Sequence, residues 1–212
     1  MLLIQDLLSW LTPKKSFRGS LRILIQRVKQ FSRNDTENKD PKDFVFIDEA
    51  GASTVMANDY GRAEGGDRLK MPKPMNHGEK FSMISAISLL GIMAFSYCKM
   101  AIDGCAFLKF IENFLLKKLS PGHIVFWDNI KFHKINKAKE LIESVGAKLV
   151  FLPPYSPDLS PIENMWSKIK HFIRKLMPRT PAEFHQALCA AINELSNEDF
   201  EGWYENCGYA LA

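Results

Sequence analysis

Three carboxylates stand where apolar runs end. Asp48 closes Val45-Phe46-Ile47, and Asp128 closes Ile124-Val125-Phe126-Trp127. An acid directly after a buried strand is costly inside a core and useful at a sheet edge. Glu49 follows Asp48, but neighbouring strand residues point to opposite faces, so only one of the two can share a site with Asp128. The third acid, Glu163, follows Asp128 by 35 residues, at the end of Leu152-Pro153-Pro154-Tyr155-Ser156-Pro157-Asp158-Leu159-Ser160-Pro161-Ile162-Glu163. Pro161 suits the first position of a helix, with Ser160 as N-cap and Glu163 as its partner in a capping box. Taken singly, each acid is also accounted for as a turn or cap residue. Four prolines, however, hold Glu163 more rigidly than capping requires. Three acids converging on one place repel one another and bind divalent cations.

The elements that must position them follow from periodicity. β-rich runs cover Phe44 to Asp48, Phe81 to Leu90, Ile92 to Met100, His123 to Asp128 and Lys148 to Leu152. Gly91 divides the second run from the third, which predicts an antiparallel hairpin. Helical spacing marks Ala106 to Lys118, Asn136 to Val145, Ile162 to Leu176 and Pro181 to Leu195. Three strands before the first helix, then strand–helix alternation, predict an α/β mixed sheet with helices on both faces, the element order of an RNase H-like fold. Upstream, 2–11 and 20–31 predict a short basic helical arm, joined through the polar stretch 32–43. The chain thus divides into an arm and linker at 1–43 and one domain at 44–212.

Composition narrows the function. The 212 residues are 46% hydrophobic and 25% charged, as in globular proteins. The formal net charge is +4. It is unevenly spread: 117–175 holds eleven basic against five acidic side chains, and 176–212 one against six. Such a segment reads either as a phosphate footprint or as lysine-rich helix surface. Cys98, Cys105, Cys189 and Cys207 have neither zinc-knuckle spacing nor the density of a disulfide scaffold, which predicts free thiols in a reducing compartment. The longest apolar run, Met83 to Phe95, is too short to span a membrane, and the N-terminus lacks the form of a signal peptide. The expected setting is soluble and cytoplasmic.

With these segments together, the chain resembles the DDE transposases of the mariner superfamily, in their bacterial insertion-sequence branch. The resemblance rests on Phe46-Ile47-Asp48-Glu49-Ala50-Gly51, Tyr60-Gly61-Arg62-Ala63 with Gly66 and Arg68, Trp127-Asp128-Asn129 with His133-Lys134, and the proline loop through Glu163 with Trp166 and Lys170. It runs from about Phe44 to Tyr209, and Lys14-Lys15-Ser16 resembles the basic linker upstream of such domains. It implies that Asp48, Asp128 and Glu163 are catalytic and hold two Mg2+ ions, for which Mn2+ substitutes, with Asp48 bridging both and Glu49 facing away. It further implies cleavage of DNA at a transposon end and transfer of the freed 3′-hydroxyl to a TA-like target. DNA is the implied partner; Lys14, Lys15, Arg62, Arg68, Lys131, Lys134, Lys168 and Lys170 are the candidate contacts to its phosphates, with solvated helix surface as the alternative reading of the lysines that follow the second and third acids. A homodimer on DNA, near the bacterial nucleoid and away from membranes, is the family expectation.

Members of this family usually begin with helix-turn-helix modules, for which some forty residues before the first strand leave no room. The corresponding expectations are a separately encoded helix-turn-helix half of a split element, a truncated relic, or an isolated catalytic domain. Two other readings stay open: a catalytically silent DNA-binding or dimerisation remnant, and a structure-specific nuclease on the same fold.

Overall fold

The run that begins at Phe44 feeds two cores at once. It forms β1, Phe44–Ser53, with Phe44 and Phe46 buried on one face and Val45 and Ile47 on the other. A strand buried on both faces belongs at the centre of a sheet. The computed structural model describes residues 36, 39–57, 65, 78–128, 135–153 and 156–209. Among these, five strands form one sheet in the order β3-β2-β1-β4-β5. β2 (Lys80–Ser88) and β3 (Gly91–Cys98) form the predicted hairpin, and β2 lies antiparallel to β1. β4 (Ile124–Trp127) and β5 (Lys148–Phe151) run parallel to β1 on its other side. The predicted arm helices, 2–11 and 20–31, lie outside the described residues.

Helices cover both faces, as the element order predicts. On the face of Val45 and Ile47 lie α1 (Gly104–Phe110), which runs on through a π-helical turn at Ile111–Leu115, and α2 (Ile135–Ser144). Asp103 starts α1 by accepting hydrogen bonds from the amides of Cys105 and Ala106. On the face of Phe44 and Phe46 lie α3 (Pro161–Leu176), α4 (Pro181–Asn193) and α5 (Asn197–Asn206). Helix α5 is missing from the sequence reading, which closes its last helix at Leu195. Its buried residues are only Phe200 and Tyr204, too few for a clear apolar stripe. A capping box between Ser196 and Asp199 supplies the start signal instead.

β1 is also longer than predicted. Beyond Asp48 its sequence, Glu-Ala-Gly-Ala-Ser, has weak strand propensity. β2 holds it extended through pairs from Asp48↔Ser85 to Ser53↔Lys80. At the far end Thr54 forms a neck. Its amide donates to the Glu79 carbonyl (3.0 Å), its hydroxyl accepts from the Glu79 amide (2.9 Å), and its carbonyl accepts from Arg179 Nη1 (3.1 Å). Gly78 completes the closure with φ +57, and a Cβ there would stand 2.5 Å from Val55 Cγ1 and 2.7 Å from Thr54 Oγ1. All four cysteines are free thiols, and no helix among the described residues is long and apolar enough to cross a membrane. Gly78→Ala should therefore lower stability by about 2 kcal/mol or more, measured by denaturant titration, because left-handed strain and overlap act together.

Candidate active site

The register of β1 on β4 brings the first two acids together. Their parallel pairs run from Phe44↔Ile124 to Ile47↔Trp127, so Asp48 and Asp128 occupy the next place in register. β4 ends there, while β1 continues alongside β2 alone. Residues two apart share a face, which puts Asp48 on the side of Phe44 and Phe46, under α3, and Glu49 on the opposite side. Asp128 is exposed at the strand end.

Helix α3 supplies the third acid and also grips the first. Glu163 lies in its first turn and is exposed, while Ile162, Met165, Trp166, Ile169 and Ile173 bury the helix against the sheet. Trp166, one turn after Glu163 and 1% exposed, donates its indole N–H to Asp48 Oδ2 at 3.0 Å. The indole also lies 6.1 Å from the ring of Phe95. Phe95 pairs with Ser85, and Ser85 with Asp48, so a small residue separates the two ends of that row. The Ser85 hydroxyl is turned aside, donating to the Ala94 carbonyl. Trp127 and Trp166, both in the motifs that carry the resemblance, are buried in the core. Trp127 is stacked on Phe107 with centroids 4.1 Å apart, whereas Trp166 is both core and site. A buried indole N–H needs an acceptor, and only the fold brings the Asp48 carboxylate within its reach.

The predicted capping box at Ser160 does not form. Ser160 is the N-cap but makes no side-chain capping bond. A 3-10 turn, Pro157–Leu159, precedes it, and its amide donates to the Pro157 carbonyl at 2.9 Å. Ser160 is thereby buried at 7% exposure, while Glu163 stays at the surface. The glutamate is thus not engaged in capping.

The electrostatics mark the same place. Asp48 is pushed up to about 7, first by burial and then by the charges of Glu163 and Asp128, against hydrogen bonds from the Glu49 amide and Trp166. Glu49 is also pushed up to about 7, by burial and by Asp48, and its Oε1 is buried without a hydrogen-bond partner. Glu163 and Asp128 therefore act on Asp48 through space. Even so, among the described residues no three His, Cys, Asp or Glu side chains stand close enough to hold a metal as arranged. Like-charge repulsion opposes closer approach in a protein without cations. The donor set itself is all carboxylate oxygen, which suits a hard divalent cation, and a cation among the three would reverse the sign of each cost.

The basic residues divide. Lys168 forms an ion pair with Asp199 of α5, at 30% and 20% side-chain exposure. Against burial, hydrogen bonds from Lys168 and Ser196 hold Asp199 below its ordinary range. Lys168 thus ties α3 to α5. Lys170 and Arg174, one turn apart and half-buried, lie further along α3 from Glu163. Lys14, Lys15, Arg62, Arg68, Lys131 and Lys134 lie outside the described residues.

A mixed sheet carrying acids on its central strand, after the neighbouring parallel strand and at a helix start is that of an RNase H-like catalytic domain. The chain belongs to the DDE superfamily endonucleases, whose family model matches residues 43–184. No curated protein matches it in sequence. Its fold is shared with Mos1 mariner transposase. The pre-cleavage Mos1 transpososome superposes with a TM-score of 0.68 at 14% identity, covering 88% of this chain and 58% of that one. The Mos1 paired-end complex with Mg gives 0.64 at 14% identity, covering 87% and 58%. The isolated Mos1 catalytic domain gives 0.61 at 12% identity, covering 89% and 86%. The chain therefore spans somewhat over half of the Mos1 chain in those assemblies.

Two outcomes follow. As pH rises from about 4 to about 7, the unfolded chain releases the Asp48 proton while the cation-free fold keeps it, so this group lowers stability across that window. Asp48→Asn should raise the thermal midpoint at pH 8, change it little at pH 4, and remove any added stabilisation by Mg2+. Trp166→Phe, which keeps a ring but removes the donor, should cost about 2 kcal/mol in denaturant titration.

Proposed function

We propose that this chain is a transposase catalytic domain of the insertion-sequence branch, cleaving DNA phosphodiesters and joining the freed 3′-hydroxyl to target DNA at TA-like sites. The observation that carries this reading is Asp48: half-buried at the end of the shared β1–β4 register, gripped by Trp166, and crowded electrostatically by Glu163 and Asp128. In this reading Asp48, Asp128 and Glu163 hold two Mg2+ ions, with Mn2+ able to replace them. Bound there, the ions supply nucleophile activation and neutralise charge that builds up on phosphorus and the leaving oxygen. The structure of Mos1 with Mg supports divalent metal use by a protein of this fold.

The remaining residues bind and orient. Trp166 fixes the Asp48 carboxylate so that it does not rotate toward the core. Lys170 and Arg174, on the helix whose first turn carries Glu163, neutralise phosphates of the strand leading away from the site. Lys14, Lys15, Arg62, Arg68, Lys131 and Lys134 extend that contact in the same reading, whereas Lys168 serves the joint between α3 and α5. The Mos1 paired-end complex with left transposon end supports transposon-end DNA as the partner, and a homodimer on that DNA belongs to the same reading. A separately encoded helix-turn-helix half would supply recognition of the ends.

The test is nicking and strand transfer on supercoiled plasmid in Mg2+ or Mn2+. Glu163→Gln should reduce the rate by about 100-fold or more. Its unfolding midpoint should hold, since no capping bond is lost. Asp128→Ala should be equally inactive. Full activity of either variant refutes the assignment, and an inert wild type beside an active positive control favours the catalytically silent reading.

A further inference from the structure

We infer that Tyr209 is a positioning residue for Glu163, acting through the turn from which α3 starts. This rests on the proposed role of Glu163 and adds a residue outside the family-matched segment 43–184. The Tyr209 hydroxyl donates to the Leu159 carbonyl at 2.7 Å. Leu159 closes the 3-10 turn Pro157–Leu159, and Ser160 and Pro161 then lead into Glu163. Pro157 and Pro161 have no amide hydrogen, so this turn is short of its own donors. A donor from elsewhere in the chain compensates.

The same side chain also touches the strand of the first acid. The Tyr209 ring lies 5.4 Å from the Phe44 ring and 5.3 Å from the Phe46 ring, two residues before Asp48. One rigid phenol therefore spans from the strand that carries Asp48 to the turn that delivers Glu163. Its own direction is set by the end of α5. Gly208, at φ +85, donates its amide to the Glu205 carbonyl (2.9 Å), and the Tyr209 amide donates to the Tyr204 carbonyl (3.0 Å). These two bonds form a Schellman motif, which needs a left-handed residue at that place and turns the next side chain back toward the helix. Burial, then the Cys207 thiol, hold the Tyr209 phenol well above its ordinary range, so it stays a donor.

Tyr209→Phe keeps the ring and removes the donor. Hydrogen exchange on the full, metal-free chain should show amides of 159–166 exchanging about five-fold faster, the effect of one lost hydrogen bond, with the β2–β3 hairpin unchanged. In plasmid nicking, kcat should fall by about the same factor at constant KM for DNA. Tyr204→Phe is the comparison: its hydroxyl donates to the Phe44 carbonyl (2.9 Å), so its loss should weaken the whole fold without singling out 159–166. Unchanged exchange at 159–166 in Tyr209→Phe, or an equal rise in the hairpin, overturns the inference. A wild type that fails to nick in Mg2+ refutes the functional reading alone, because exchange still decides what Tyr209 holds.

Discussion

β1 and β4 run side by side as a parallel ladder from Phe44↔Ile124 to Ile47↔Trp127, and then only β1 goes on. A carboxylate inside that ladder would be sealed between apolar layers at a cost of many kcal/mol. One residue past its end, the same group keeps the rigidity of a central strand and gains a path to solvent. The burial that raises Asp48 and the charges that raise it further both follow from this single boundary. The open flank it leaves beside β1 is also where α3 can bring a third acid without cutting through a strand.

The cost of crowding three acids is offset by α3. Ile162, Met165, Trp166, Ile169 and Ile173 are all at most 1% exposed, and burying each such side chain contributes about 1.5–3 kcal/mol. That sum comfortably exceeds the few kcal/mol of repulsion and desolvation at Asp48. The helix is therefore seated by its apolar face and carries Glu163 wherever that face dictates. The Trp166–Asp48 hydrogen bond makes seating and site preparation one event, since the indole that fills the core is also the donor to the carboxylate. Lys168 with Asp199, and Arg179 with Thr54, fasten the outer parts of the same helical layer to α5 and to the sheet.

Much of this was legible from residue types and spacing. The hairpin at Gly91, the parallel strands after it and the two-sided sheet follow from periodicities of two and 3.6, because those patterns record which face is buried. The placement of Asp48 and Asp128 followed from acids directly after apolar runs. Other features turned on partners that no local pattern encodes. β1 continues past Asp48 because β2 extends it, not because Glu-Ala-Gly-Ala-Ser favours a strand. The Ser160–Glu163 capping pattern was present in sequence but was overruled by the 3-10 turn that buries Ser160. Trp166 as donor to Asp48, and Lys168 as partner of Asp199, are contacts 118 and 31 residues apart, beyond the reach of any window.

The neck at Thr54 bears on how such a domain changes over evolutionary time. The chain between 57 and 78 leaves and re-enters the sheet through one point, closed by reciprocal Thr54–Glu79 hydrogen bonds and by a glycine that admits no side chain. Once both ends are pinned, lengthening an insertion costs only a logarithmic loop-closure term, about 0.6 kcal/mol for each doubling. A change in the length of the chain between those ends therefore leaves the register of β1 on β2, and with it the height of Asp48, in place. The neck thus decouples the height of the acids from the length of chain that it closes.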